Sequence, residues 1–530
     1  MKKIILLLVV MSLAGTSLAQ EENDTWNLGD LYPSVDAWNK AKSDLEASLP
    51  KIDECQGKLG ESAEKLLACS DLLSDIYKTY ARLASYAGMA SDADTRDAAN
   101  QQRRTEVQIL GSKLTEKVSF IDPEILSIDQ EKLKGYLSEL AGLEPYKHDI
   151  LDTLRQSKHV LDADAEAMMA ATSMMRATAS NTYRTLANAD MPWPAITLSD
   201  GEEVRLDQSA YSKYRSVDIR SDRKLVFDTF WAKWKEYERT LGVTLAGQVN
   251  VQVFNHRQRG YTSSLAAALD NNNIPEAIYH TLIAETIANL ATLHRYLQLR
   301  ARMLGVDDLR YYDGYPSLVE SSKKFPISAG KQLTLEASEP LGNAYTEVMS
   351  SGFENRWMDV YPRPGKRSGA YMNGSAYDVH PYVLMNYNDD YNSVSTLAHE
   401  WGHAMHSYLA NKNQPYPTAG YSIFTAEIAS TFNEALLLDH MLTTAASDEE
   451  RLYYLGSALE NLRTTFFRQT MFAEFDLAIH ERAEAGEALT GPKFTEIYAD
   501  LLRRYHGHDE GVMTIDDLYT VEWAYIPHFY

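Results

Sequence analysis

Basic residues are under-represented in this 530-residue sequence: 51 Lys and Arg stand against 74 Asp and Glu, a formal net charge of -23. A surface of that sign repels phosphate backbones and argues against a nucleic-acid partner. No stretch beyond the N-terminus approaches eighteen consecutive apolar residues, so a membrane-embedded body is excluded. No repeat period or low-complexity tract is present, and 45% hydrophobic with 24% charged residues is the composition of a soluble globular protein, so disorder is not the expectation. Cysteine is scarce too. Cys55 and Cys69 are the two in the chain, and two readings stand equal: a disulfide within a helical hairpin, or two reduced, buried thiols.

The first residues, MKKIILLLVVMSLAGTSLAQ, have two lysines, an apolar run from Ile4 to Ala14, and small residues at Ser17 and Ala19. This is the pattern of an export signal over 1–19, with an uncleaved anchor as the alternative. The periplasm of a bacterium is the expected location, and no cysteine follows the run to carry a lipid. From Ser34 to about Ala189, apolar residues recur at three- and four-residue spacing, predicting a bundle of helices. At Met191 to Leu206, prolines and a Ser-Asp-Gly turn flank short alternating runs, predicting a small hairpin. A seam near residue 205 divides the expected N-terminal helical domain, 20–205, from a catalytic domain, 206–530. Amphipathic helices return over Ser221–Val251 and Pro275–Leu304. The Gly-, Pro- and Tyr-rich stretch 355–388 predicts turns and short strands, and within it Pro381 to Tyr387 is β-prone. That run is either an exposed edge able to pair with an extended peptide or an ordinary core strand.

The strongest chemical signal is His399-Glu400-Trp401-Gly402-His403. On a helix the two histidines are about 40° and one turn apart, so both imidazoles reach one ion, with Glu400 beside them. Two neutral imidazoles suit zinc, and a neighbouring carboxylate takes a proton from an activated water. The flanks, Val394, Leu397, Ala398, Trp401, Ala404, Met405 and Tyr408, are too apolar for a surface helix. Polar groups buried there need partners, and a metal supplies one. Gly402 costs about 1 kcal/mol relative to Ala in a helix interior, which close approach of another backbone explains.

A catalytic zinc takes three protein ligands and leaves one position open. Thr425 to Leu438 reads as a second buried helix with Glu427, Ser430 or Thr431, and Glu434 along one polar stripe. Seven residues make nearly two turns, so one glutamate can ligate while the other orients a histidine. His406 lies on the His399 side, seven residues on, and is expected to line the cleft.

Taken in order, WNLGDLYPS (Trp26 to Ser34), PGKRSGAY (Pro364 to Tyr371), DVHPYVLMNYN (Asp378 to Asn388), TLAHEWGHAMHS (Thr396 to Ser407) and AEIASTFNE (Ala426 to Glu434) span nearly the whole chain. This set resembles the oligoendopeptidase F branch of the thimet-oligopeptidase family. The resemblance implies a mainly α fold, a helical ellipsoid with a deep channel and a small β-sheet beside the zinc helix. It implies one zinc ion held by His399, His403 and Glu427, with Glu400 as general base and acid, and Ser430 and Glu434 around the ligands. Gly369, Ala370 and Tyr371, together with His380 and Tyr382, would border the substrate. His528 matches a histidine of the family and is the candidate oxyanion donor, with Tyr530 and His406 as further substrate contacts. The family's tyrosine-rich continuation past WAYIPHFY is not found after Tyr530, so the expectation is a catalytic domain truncated at its C-terminus.

The function so read is hydrolysis of internal bonds in short oligopeptides by a monomer that neither inserts stably in a membrane nor binds nucleic acid. The alternative is a periplasmic zinc- and peptide-binding protein that does not cleave. A carboxypeptidase of similar architecture is a third.

Overall fold

In a computed structural model of the chain, residues 24–319 and 323–530 are described. The export signal read at 1–19 lies outside them. Helix makes up 71% of the structure, and strands among the described residues form two small sheets. The mainly helical class expected from the apolar spacing is therefore the class observed.

Two compact units interleave along the chain. The first comprises the described residues up to Val118 with Ser127–Asp149 and Lys323–His440, and the second comprises Ser119–Leu126, Ile150–Ser322 and Met441–Tyr530. The seam expected near residue 205 falls within the second unit's Ile150–Ser322 segment.

In the second unit the anticipated hairpin forms, Ala195–Thr197 pairing antiparallel with Glu203–Arg205. The two long helices anticipated downstream are each broken once. Arg220–Glu236 and Glu238–Gln258 are separated at Tyr237 (φ -100, ψ 5), and Glu276–Ala288 and Leu290–Leu304 at Asn289 (φ -107, ψ 13). Both residues leave the helical region for ψ near zero, a local change that apolar periodicity does not register. An aromatic core holds this unit, with Phe230, Trp234 and Trp523 each 0% exposed. Within it the buried Glu522 accepts hydrogen bonds from the hydroxyls of Tyr311 (2.8 Å) and Tyr498 (2.7 Å) and pairs with Arg468, which removes the cost of an isolated buried charge.

In the first unit a three-stranded sheet has Tyr382–Leu384 at its centre, parallel to Met358–Asp359 and antiparallel to Tyr371–Asn373. All three residues of the central strand are buried. The β-prone run is thus a core strand, and the edges belong to Met358–Asp359 and Tyr371–Asn373. The WNLGDLYPS segment braces this sheet: Trp26 packs 6.3 Å from the Tyr382 ring and 6.4 Å from Tyr371, while Tyr382 donates to the carbonyl of Asn27 at 2.9 Å.

Two helices of this unit cross beside the sheet, Tyr391–Asn413 and Ile423–Thr444. The first starts where Asp390 caps the Ser393 amide at 2.7 Å. It buries Val394, Leu397, Trp401 and Met405, and Trp401 sits 4.4 Å from the Phe353 ring. At the crossing, a Cβ added at Gly402 would meet the carbonyl oxygen of Ala429 at 2.6 Å and Cα of Ser430 at 2.7 Å. Backbone touches backbone there, which explains the mid-helix glycine.

The cysteines are joined, Cys55 to Cys69, across 14 residues and onto the helix Ala63–Ala93. Closing a loop of that size stabilises the fold by about 3 kcal/mol through the unfolded chain. Replacing both cysteines by alanine is expected to lower the urea-unfolding free energy by about that amount. An unchanged midpoint would contradict it. Gly402→Ala sets a helix-propensity gain of about 1 kcal/mol against an overpacking cost of about 1–3 kcal/mol. Neither backbone atom it meets can swing away, so a net loss of about 1–2 kcal/mol is expected from the same measurement; a stabilised variant would show that the helices are not held in contact there.

Candidate metal centre and active site

The crossing at Gly402 brings His399, His403 and Glu427 together. Their ligand atoms lie within 4.8 Å of one another. Oε2 of Glu427 is 3.3 Å from Nε2 of His399 and 3.4 Å from Nε2 of His403, and the imidazole planes stand at 86°. Oε1 of Glu434 lies 3.3 Å from Nδ1 of His399. That contact directs the Nδ1 proton to a carboxylate and leaves Nε2 turned toward the cluster. The two glutamates therefore divide the roles their seven-residue spacing left open, with Glu427 facing both imidazoles and Glu434 behind one.

The buried Ser430 donates to Oε2 of Glu427 at 2.7 Å and to its own helix, at the Glu427 carbonyl, at 3.0 Å. Thr431, the other hydroxyl on the stripe, bonds only to that carbonyl. Asn433, which the sequence reading did not single out, donates to the carbonyl of Ala398 at 3.2 Å and ties the two helices one turn beyond the cluster. Its signal was its place three residues after Ser430 on the same face.

Glu400 is 6% exposed and accepts no hydrogen bond among the described residues. Burial pushes its carboxyl up to about 7, against the opposing pull of the two histidines. A carboxylate so placed is costly unless chemistry requires it. Burial opposes charge on His399, but hydrogen bonds to Glu427 and Glu434 outweigh it and raise the imidazole to about 10. The same bonds to His399 and His403 hold Glu427 far below the usual carboxylate range.

The remaining expected contacts fall in three places. In the first unit, the carbonyl of Gly369 (φ +80) accepts from Asn386 at 2.6 Å, and Ala370 leads into the edge strand at Tyr371, whose hydroxyl donates to Asp92 at 3.0 Å. His380 stacks on Trp357 at 4.3 Å with Nε2 3.2 Å from Asp30, and Tyr382 is 1% exposed; both side chains are engaged in holding the sheet. His406 stacks on Tyr421. His528 and Tyr530 belong to the second unit, where His528 is exposed on the short helix Pro527–Phe529 and Tyr530 is buried, its ring 4.4 Å from Tyr183.

The sequence model of peptidase family M3 matches residues 214–530, and that of oligopeptidase F matches residues 124–192. Oligopeptidase PepF of Bacillus subtilis is 39% identical over 508 residues, 96% of this chain and 75% of the relative. Group B oligopeptidase PepB of Streptococcus agalactiae is 34% identical over 96% of this chain and 84% of its own. The crystal structure of oligoendopeptidase-F from Enterococcus faecium superposes with a TM-score of 0.73 at 29% identity, covering 93% of this chain and 83% of that one. With a family model over more than half its length and relatives above 30% identity matched over 96% of it, the chain belongs to peptidase family M3, whose members are in general zinc-dependent, and is a metallo-oligopeptidase.

Proposed function

We propose that the protein is an endopeptidase that binds one zinc ion through His399, His403 and Glu427 and hydrolyses internal bonds of short oligopeptides. The donor set fits the metal: two imidazole nitrogens and one carboxylate oxygen, converging within 4.8 Å, are a ligand combination of catalytic zinc sites. Zinc bound there would supply a water of lowered pKa and polarise the scissile carbonyl. Glu434 holds His399 in the tautomer that presents Nε2, and Ser430 fixes the rotamer of Glu427. Glu400 accepts the proton of the attacking water and returns it to the leaving amine. Burial raises Glu400 to about 7 and a cation would pull it down again, so the carboxylate is a base matched to neutral pH. The observation that carries this reading is Glu400 itself, nearly buried and without a hydrogen-bond partner beside the His–His–Glu cluster.

The segment Gly369 to Tyr371 opens the edge strand Tyr371–Asn373, and an extended peptide can add to such an edge by main-chain hydrogen bonds. His406 is assigned to a substrate contact, and His528 to the oxyanion, on the family resemblance, whereas the side chains of His380, Tyr382 and Tyr530, expected to touch substrate, are taken up by packing. Export to a periplasm is supported by the pattern of 1–19 and by the Cys55–Cys69 bond, since cytosolic thiols stay reduced. A non-cleaving peptide binder has no use for an unpartnered Glu400, and the relatives are oligopeptidases.

Glu400→Gln is expected to retain zinc by metal analysis and to lose at least about 10²-fold in kcat on a quenched fluorescent oligopeptide. Near wild-type turnover would refute the assignment of the base. Because its hydrogen bonds to Glu427 and Glu434 outweigh burial and raise the His399 imidazole, zinc binding there would have to displace a proton near neutral pH. Competition with a chelating dye between about pH 5.5 and 8 should therefore show zinc affinity rising at least about tenfold per pH unit; a pH-independent affinity would mean that His399 is not a ligand.

A further inference from the structure

The helix face that carries His399 and His403 continues past the metal cluster. At about 100° and 1.5 Å per residue, His406 lies about 60° around the axis from His403 and about 4.5 Å farther along, and Ala410 about 20° and 10 Å. A cavity of about 510 Å³ opens there. Gly402 and Ala429 line it at the helix crossing, Leu409 and Ala410 along the helix, and His406 and Tyr421 form an aromatic wall. The two rings stack with centroids 3.7 Å apart and planes 13° from parallel. The tip of Tyr421 is already engaged, its hydroxyl 2.8 Å from Oγ of Ser407, which fixes the ring and leaves its apolar body to face an occupant.

None of the twelve residues lining the cavity is Asp, Glu, Lys or Arg, in a chain where 24% are. Nδ1 of His406 is buried without a hydrogen-bond partner, and burial together with the neighbouring His403 depresses its pKa, so the wall is neutral. A charged side chain entering would lose its hydration and find no charged partner among the lining residues. A planar apolar one would pack against the outside of the stacked pair, and 510 Å³ is ample for it.

We propose that this cavity is a side-chain pocket that selects a neutral aromatic residue of the substrate a short distance from the scissile bond. The proposal rests on the oligopeptidase reading and adds to it a preference and the residues that set it, above all Tyr421. Its geometry follows from the shared helix face: a peptide lying across His399 and His403 passes the mouth of the pocket within one or two residues of the bond that is cut.

The test is product mapping by mass spectrometry on peptide sets in which each position around a cleaved bond carries Phe, Ala, Asp or Lys in turn. For the wild type, one position is expected to favour Phe over Ala, Asp and Lys by about tenfold or more in kcat/KM. Tyr421→Ala should bring the Phe-to-Ala ratio to within about threefold of unity with zinc content unchanged, and Tyr421→Phe should preserve it. Ala410→Trp, which fills the cavity from another lining position, should abolish the preference in the same way and decides the matter if Tyr421→Ala does not fold. Cleavage with no such position, or a preference that survives both Tyr421→Ala and Ala410→Trp, would overturn the pocket alone. Failure of the wild type to cut any peptide of the set would overturn the peptidase reading, and the pocket with it.

Discussion

Contact between two helix backbones at Gly402 is the constraint on which the site depends. A side chain at that position would meet the Ala429 carbonyl and Ser430 Cα, and only its absence lets Glu427 come within 3.4 Å of both imidazoles. Each helix contributes half of a donor set that is useless alone. His399 and His403 supply softness and tautomeric choice, and Glu427 supplies charge from a helix 24 residues farther on. Ser430 and Asn433 then lock the crossing from the second helix, one through the Glu427 carboxylate and one through the Ala398 carbonyl.

The electrostatics of the cluster follow from that proximity. Three glutamates, 400, 427 and 434, surround His399, and the one that approaches no imidazole nitrogen is also the one whose pKa rises toward neutrality. Two carboxylates engaged with imidazoles and one kept free is the division that a hydrolytic metal site needs: the engaged groups hold position and charge, and the free group can move a proton. The apolar shell of Trp401, Leu397 and Met405 strengthens the effect at the buried Glu400, whereas the Glu427 side chain is 61% exposed and meets solvent.

Much of this was legible in the sequence. The HEWGH spacing and the ExxSxxxE stripe each suit 3.6-residue geometry, so the residues that converge are legible from the sequence alone. Their division of labour was not fixed by spacing, because Glu427 and Glu434 lie on the same side of their helix; which one faces the histidines depends on the crossing. The core position of Tyr382–Leu384 was equally open, since a short apolar run reads alike at an edge and at a centre. Tyr421 was invisible, being a loop residue whose role comes from stacking on His406. The breaks at Tyr237 and Asn289 left no mark because apolar periodicity continues through them. The WNLGDLY segment was recognised as a motif without a reason; its brace on the sheet at Tyr382 and Tyr371 supplies one.

The central claim is that a single zinc ion sits between the crossing helices. An anomalous difference map collected at the zinc edge from crystals of the purified chain tests it most directly. The account predicts one peak, at about 2.0–2.2 Å from Nε2 of His399, Nε2 of His403 and a carboxylate oxygen of Glu427. A peak elsewhere, or an ion at His399 and His403 with Glu427 turned away from it, would contradict the account.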